Sequence, residues 1–322
     1  MKKKKVIIDC DPGIDDSLAL MLALSSSELE ILGITIVSGN VEVEKGYQNA
    51  LKTLKVLNRL DVPVYKGEDK PLSRELEPAY ETHGEDGLGE NHYAPVKIDD
   101  RKESAVDFIL NTLQTIQEVS IIALGPLTNI AVALISNPEA FSHLEEFVSM
   151  GGCFKSYGNC SPVAEYNYWV DPEGAKYVYE NLNTKIHMVG LDVTRDIVLT
   201  PNMIALMDHC LSEKGKFIKE ITKFYMNFHW EHEKIIGCVI NDPLALLYFI
   251  DKSICTGIDA YTTIEIHGMC KGQSIVDEMH FWKKRPNAHV LTQVDKKRFF
   301  REFFVRVLNF DEEFLNLLEG MI

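Results

Sequence analysis

The stretch Val6-Ile-Ile-Asp-Cys-Asp-Pro-Gly-Ile-Asp-Asp16, running on into Ser17-Leu-Ala-Leu-Met-Leu-Ala-Leu24, decides how this chain is read. Val6, Ile7 and Ile8 are consecutive β-branched residues and read as a buried strand that ends in acids. Pro12 and Gly13 permit a sharp turn, and the apolar run after them predicts a helix over 17–24. A second strand is predicted over 29–37, closed by Ser38-Gly39-Asn40. Val43, Tyr47, Ala50, Leu51, Leu54 and Leu57 then recur at helical spacing, which predicts an amphipathic helix over 41–60. A third strand follows over 62–65. This β-α-β-α-β order predicts a parallel sheet with right-handed crossovers.

Residues 66–103 break the alternation. They carry Gly, Pro, His and many charges without sustained periodicity, and a stretch of that length inside a compact domain reads as an active-site loop or lid. The alternation resumes with a helix over 104–117, a strand over 119–124 and a helix over 127–135. A strand over 147–150 leads into a polar loop over 151–167. Asp171-Pro172 reads as an N-cap with proline in the first turn, opening a helix to 181. A strand over 185–193, two helical pieces over 202–231 and an apolar helix from Asp242-Pro243 to 250 come next. Strands near 262–267 and 289–294 and helices over 296–308 and 311–319 complete the chain. No repeat, low-complexity tract or linker divides it, so the expectation is a single α/β domain over residues 1–322.

The balance of the 322 residues limits what such a domain does. Hydrophobic residues make up 46% and charged residues 25%, which are globular proportions. Lys plus Arg number 33 against 48 Asp plus Glu, a formal net charge of −15 that argues against nucleic acid or an anionic membrane as partner. The seven cysteines form no CxxC pair, so a zinc ribbon is not expected, and their odd number reads as reduced and cytoplasmic. The lysines at 2–5 are followed by too few apolar residues for a signal peptide. The most apolar stretch, 119–135, is interrupted by Gly125, Pro126, Thr128 and Asn129 and is no membrane span.

Asp9, Asp11, Asp15 and Asp16 fall within eight residues at the end of the first strand. In open parallel sheets ligands bind beyond the carboxyl ends of the strands. Crowded carboxylates raise one another's pKa unless a cation offsets their field. An all-oxygen donor set points to Ca²⁺ or Mg²⁺ rather than zinc. Capping explains one or two of these acids but not four. An EF-hand is excluded, because an apolar helix follows at once where its loop would continue. Asn40, Asn129, Asn159, Glu165, Asn167 and Asp242 follow other strand ends or open a late helix. Such groups bind hydroxyls, which suggests a sugar.

The acidic motif Asp9-Cys-Asp-Pro-Gly-Ile-Asp-Asp16 resembles the N-terminal signature of the nucleoside hydrolases, the inosine-uridine preferring group included. The resemblance continues in family order through Ser38-Gly39-Asn40, Thr82-His83-Gly84, Gly125-Pro126-Leu127-Thr128-Asn129, Gly158-Asn159, Val163-Ala164-Glu165-Tyr166-Asn167, Asp171-Pro172-Glu173 and Asp242-Pro243. It implies a single α/β domain around a mostly parallel, mixed sheet with helices on both faces. It implies hydrolysis of the N-glycosidic bond of ribonucleosides to ribose and a free base, with bound Ca²⁺ and assembly as a homodimer or homotetramer. Carried over by position, Asp11 ligates calcium and acts as general base on the calcium-bound water. Asp16, Asp242 and the backbone carbonyl of Leu124 complete the metal ligands, and Asp9 orients them from behind. Asp15 holds the ribose 2′-hydroxyl, and Asn40, Asn159, Glu165, Asn167 and Asp242 hold the other hydroxyls. Tyr225, His229 and Trp230 match the segment that lines the base pocket in relatives.

One departure stands out. Many members carry a His before the late Asp as proton donor to the leaving base; this chain has Asn241, which cannot be a general acid. His83 matches another family histidine near the base and becomes the expected donor. Two rival readings exist. A haloacid dehalogenase-like phosphohydrolase also begins with Asp-x-Asp, but it needs Thr or Val where Gly13 stands and leaves Asp15, Asp16 and Asp242 unexplained. A nucleoside- or sugar-binding protein without turnover is supported only by Asn241 and opposed by an intact Asp11.

Overall fold

Strand β1 (Lys4–Cys10) lies in the middle of a nine-stranded sheet because both of its edges pair in parallel, with β2 (Leu29–Ile36) on one side and β4 (Val119–Ala123) on the other. The computed structural model describes residues 2–98, 101–210 and 212–322. Beyond β2 lies β3 (Val64–Lys66), and beyond β4 lie β5 (Phe147–Met150) and β6 (Ile186–Val189), all parallel. The short β7 (Val198–Leu199) and β8 (Cys238–Val239) form a separate antiparallel pair. The far edge holds β9 (Cys255–Ile264), β10 (Ser274–Asp277) and β11 (Ala288–Val294). There β11 pairs parallel to β6, while β9 runs antiparallel to β11 and β10 to β9, so the sheet is mixed.

The strand order β3-β2-β1-β4-β5-β6 winds outward in both directions from the β1/β4 boundary. That boundary is a topological switch point, where the chain leaves neighbouring strands toward opposite faces and opens a crevice at their carboxyl ends. The acidic motif is the segment leaving β1 at that crevice, and Leu124-Gly125 leaves β4 beside it.

Two cores cover the two faces, and alternate residues of one strand enter opposite cores. Val6, Ile8 and Cys10 pack with the helices Ile14–Leu24, Glu213–Phe228, Asp242–Ile250 and Lys296–Leu308. Ile7 packs with Ala105–Thr115, Thr128–Ser136 and Pro172–Asn181. A strand buried on both faces reads as a continuous apolar run, as Val6-Ile-Ile does. Together these elements make a single α/β domain. Among the described residues, no helix is long and apolar enough to cross a membrane.

The sequence expectations differ from the structure at several points, the unexpected β7 and β8 among them. The strand expected over 185–193 stops at Val189, because Gly190 caps a turn over Leu191–Thr194. The helix expected over 41–60 is shorter, Val43–Val56. The strand near 262–267 is instead the ten-residue β9, and β10 was not anticipated. Both lie at the open edge, where half-exposed strands lose the apolar run that marks the central ones. Within 66–103, of which residues 99 and 100 lie outside the described residues, a one-turn helix Tyr80–His83 forms and Leu88 and Val96 are buried. Asn49 Nδ2 holds the Asp86 carbonyl at 2.8 Å, so the segment is seated on the helix Val43–Val56.

Candidate active site

Each acid of the motif is fixed by a different local device. Asp9 is still within β1, buried inside the sheet, and its Oδ1 accepts from Thr35 Oγ1 at 2.5 Å and Asn129 Nδ2 at 2.8 Å. Asp16 stands three residues after Gly13, the N-cap of the helix Ile14–Leu24, and its Oδ2 accepts from the Gly13 N–H at 2.9 Å. This is the return half of a capping box, so one carboxylate both starts the helix and faces the crevice. Its Oδ1 accepts from the Asp11 N–H at 3.1 Å.

Asp11 lies between two glycines. A Cβ on Gly39 would stand 2.1 Å from Asp11 Oδ2, and a Cβ on Gly125 would stand 2.5 Å from Oδ1. Both positions therefore require the absence of a side chain. The Asn40 N–H donates to Asp11 Oδ2 at 2.7 Å, and Asn40 Nδ2 donates to Asp16 Oδ2 at 3.0 Å. Asp11 Oδ1 is buried and has no hydrogen-bond partner among the described residues.

Asp15, Asp16 and Asp242 converge, with one oxygen from each within 4.8 Å of the others. Burial pushes the carboxyl of Asp16 up to about 7, with the Asp15 charge adding to it. Burial also raises Asp11 and Asp242 well above the usual range, and their neighbouring acids reinforce the shift. Such a cluster has the electrostatic signature of a cation site: all-oxygen donors, buried, and mutually repelling.

Glu165 is the N-cap of the short helix Tyr166–Val170, and its two oxygens accept from the N–H groups of Gly152, Asn167 and Tyr168 at 2.7, 2.8 and 3.3 Å. Burial still pushes it up to about 7. Asn167 Nδ2 donates to the Leu124 carbonyl at 2.7 Å, which leaves that oxygen a second lone pair. Asn159 is exposed, and its Oδ1 accepts from the Tyr166 N–H at 2.9 Å.

These groups and a set of rings enclose a cavity of about 710 Å³, its open mouth included. Asp15, Asn40, His83, Asn159, Glu165, Asn167, Tyr225, His229, Asn241 and Asp242, all singled out in the sequence, line it. Tyr225 and His229 meet edge to face at 4.5 Å, and the His83 ring lies 5.3 Å from Tyr225. Asp15 Oδ2 accepts from Asn241 Nδ2 at 3.0 Å, from the Asn241 N–H at 3.2 Å and from the Tyr225 hydroxyl at 3.3 Å.

Several sequence expectations need correction. Trp230 does not line the cavity: it lies one position beyond the inward-facing His229 in a π-turn and is 54% exposed. Asp15 converges with Asp16 and Asp242, and Asp11 adjoins them through its N–H, which donates to Asp16 Oδ1. His83 is not set up to give away a proton. Its Nδ1 accepts from the Ile14 N–H at 3.1 Å, so the neutral ring carries its hydrogen on Nε2, and burial pushes its pKa down to about 4. His229 is similarly committed: Nδ1 donates to the Tyr225 carbonyl at 2.9 Å and Nε2 accepts from the Val239 N–H at 3.4 Å.

Sequence reasoning missed Phe228, Arg195 and Glu233, which also line the cavity. Phe228 was within reach, since it sits three positions after Tyr225 on the same helical face. Glu233 was not, because the helix loosens into a π-turn over His229–Glu233 that no residue pattern announces.

Comparison with known proteins gives these features a context. The family model for inosine-uridine preferring nucleoside hydrolases matches residues 6–301. The pyrimidine-specific ribonucleoside hydrolase RihA of Salmonella typhimurium is 36% identical, over 91% of this chain and 95% of its own. RihB of Escherichia coli, also named pyrimidine-specific, is 33% identical over 92% and 94%. The purine-preferring ribonucleoside hydrolase from Gardnerella vaginalis superposes with a TM-score of 0.90 at 31% identity, over 98% of this chain and all of that one. A plant nucleoside hydrolase does so with the same score and identity, over 95% and 99%. Sequence, fold and the crevice acids thus agree, and the chain belongs to the inosine-uridine preferring nucleoside hydrolase family, as a ribonucleoside hydrolase.

Proposed function

We propose that the chain hydrolyses the N-glycosidic bond of ribonucleosides, releasing ribose and a free purine or pyrimidine base, with one Ca²⁺ held by Asp11, Asp16, Asp242 and the Leu124 carbonyl. The donor set fits such an ion: it is all oxygen, it contains the unpartnered Asp11 Oδ1, and Asp15 adds a further carboxylate. When bound, the cation offsets the repulsion among the acids and lowers the pKa of water at the site.

The chain's own residues account for the rest. Asp11 is the base: the Asn40 N–H fixes its carboxylate at Oδ2, and no hydrogen-bond donor among the described residues competes at Oδ1 for the proton of water. Asp15, Asn40, Asn159, Glu165, Asn167 and Asp242 hold the ribose hydroxyls. Glycoside cleavage develops positive charge on the sugar, and the surrounding carboxylates stabilise it where it develops. The base lies among Tyr225, Phe228, His229 and His83, where the His83 Nε2–H offers a hydrogen bond rather than a proton.

The observation that carries this reading is Asp11, buried beneath two glycines with one oxygen unpartnered, in a chain of this family. A panel of inosine, adenosine, guanosine, uridine and cytidine, assayed for free base with calcium and with a chelator, tests it. Base release that depends on calcium is expected, and no release from any member overturns it. We place the reaction in the cytoplasm. The unpaired Cys10, Cys153, Cys160, Cys238, Cys255 and Cys270 support a reducing compartment. We propose a homodimer or homotetramer, supported by exposed Met269, Met279 and Phe281 near the open edge of the sheet; light scattering on the purified protein decides it.

A further inference from the structure

In a nucleoside with a neutral base, the base leaves as an anion and needs a proton. The groups at this end of the cavity do not supply one. Asn241 cannot ionise, and its amide is oriented by Asp15: Nδ2 donates to that carboxylate, so the buried end left unpartnered is Oδ1, an acceptor. The His83 Nδ1 is occupied as an acceptor by the Ile14 N–H, and protonating it would set two N–H groups against each other. Backbone groups claim both nitrogens of His229. The Tyr225 hydroxyl is already committed as a donor to Asp15.

The same walls are rich in negative charge. Asp15, Glu165, Glu233 and Asp242 line the cavity, and the one Lys or Arg among the lining residues, Arg195, is paired with Glu233 at 3.2 Å. Tyr225 and Phe228 contribute aromatic rings, which attract a cation over their faces.

We propose that this site prefers ribonucleosides whose base is a cationic heterocycle, such as an N-ribosylpyridinium or an N7-alkylated purine riboside, over neutral nucleosides. This rests on the hydrolase reading above and names its substrate class. The step balances without an acid. The C1′–N bond breaks and its electron pair goes to the ring, which leaves neutral. The oxygen of water bonds to C1′, and its proton passes to Asp11 and then to solvent. The unpartnered Asn241 Oδ1 fits the same substrate, since it offers electron density to a cation and nothing to an anion.

The test compares kcat/KM for the β-ribosylnicotinamide cation and for N7-methylguanosine with those for uridine, inosine and guanosine, using calcium-loaded enzyme and subtracting spontaneous hydrolysis. Loss of a general acid usually costs about 10²–10⁴-fold, so at least one cation should exceed every neutral nucleoside by about tenfold or more; which one does so distinguishes a pyridinium from a purinium site. Any smaller ratio, with the neutral nucleosides cleaved, overturns this inference alone. No cleavage of any substrate overturns the hydrolase reading with it. Binding is read separately, as inhibition of uridine cleavage. The N-methylnicotinamide cation should inhibit at lower concentration than neutral nicotinamide, and the reverse order overturns the proposal. Glu233→Gln, which leaves the Arg195 charge unpaired at the cavity wall, should raise KM for the cation about threefold more than KM for uridine; an equal rise in both counts against the proposal.

Discussion

At the acidic end of the cavity nearly every side chain is tied to main chain or to another strand end. Asp16 accepts from two N–H groups, Glu165 from three, and Asp9 is bonded to Thr35 on β2 and to Asn129 from the helix after β4. At the aromatic end the walls come from one helix, its π-turn, a long loop and the turn that ends at Arg195, and they meet through ring contacts and an Arg195–Glu233 pair. The first region cannot change without disturbing the sheet. The second can change by turning or replacing side chains on a helix, which leaves the chemistry fixed while the leaving group it serves varies.

The sharpest way to break this comparison is at Asp11. Asp11→Asn removes the proposed base and should lower kcat by about 10²–10⁴-fold. Thermal unfolding of the calcium-loaded protein should stay cooperative. A loss within tenfold would move the base to another acid.

Removing the proposed calcium tests the same end through stability. Burial holds Asp9 and Glu165 at about 7 in the folded state, against usual values of 3.8 and 4.5. A folded carboxyl raised above its unfolded value keeps its proton longer than the unfolded chain does. Between about 4 and about 7 these two acids therefore bind more protons in the folded state, and their contribution to the stability of the chelated protein should fall as pH rises across that window. Calcium should flatten the slope, because it offsets the field of the ionised acids. Calorimetry at several pH values, with chelator and with calcium, measures this; equal slopes would separate the buried acids from the metal site.

A smaller effect is expected at Gly39. The Cβ of Gly39→Ala would stand 2.1 Å from Asp11 Oδ2, so the carboxylate must move. A displacement of about 1 Å at a reacting group costs on the order of 10²-fold in rate, with little change in KM. A kcat close to wild type would show that Asp11 tolerates another position.

These expectations rest on features that were legible in the sequence to different degrees. β1, its acids and the turn at Pro12-Gly13 could be read because a strand buried on both faces, a sharp turn and a helix start each leave a local pattern. Ser38-Gly39-Asn40 and Gly125 could be placed at strand ends, although their contact with Asp11 is a tertiary fact. The aromatic end was only half legible. Tyr225 and His229 keep helical spacing, but the π-turn shifts the residues beyond them, and so Glu233 enters the cavity while Trp230 leaves it. Arg195 comes after a strand that ends sooner than its apolar residues suggest, because Gly190 starts a new turn.

His83 tests the border between the two regions. If its Nε2–H only donates a hydrogen bond to the base, His83→Ala should lower kcat/KM by roughly fivefold to tenfold, the worth of about 1 kcal/mol. Its ring is neutral above about 4, so the pH profile of the variant between pH 5 and 8 should keep the shape of the wild type. Loss of the alkaline limb in that range would restore His83 as the proton donor and would undercut the preference for a cationic base.

The smallest effect is expected where sequence and structure disagree. Trp230 is half exposed, one position beyond the inward-facing His229, and it approaches Lys234 rather than the cavity, the Lys234 Nζ lying 5.8 Å from the ring centroid. Trp230→Ala removes no group that lines the cavity, so kcat/KM for every base should remain within about twofold and stability within about 0.5 kcal/mol. The measurement matters because the alternative is physically specific. A π-turn holds one residue more than an α-turn, and tightening it to an α-turn would rotate the neighbouring side chains about the helix axis. Should the π-turn relax in this way when a base binds, Trp230 would swing toward the leaving group. Trp230→Ala would then raise KM by about tenfold, the scale of a lost aromatic contact, and the effect would scale with the size of the base. A uniform, near-wild-type profile instead leaves Tyr225 and Phe228 as the aromatic walls that the base meets.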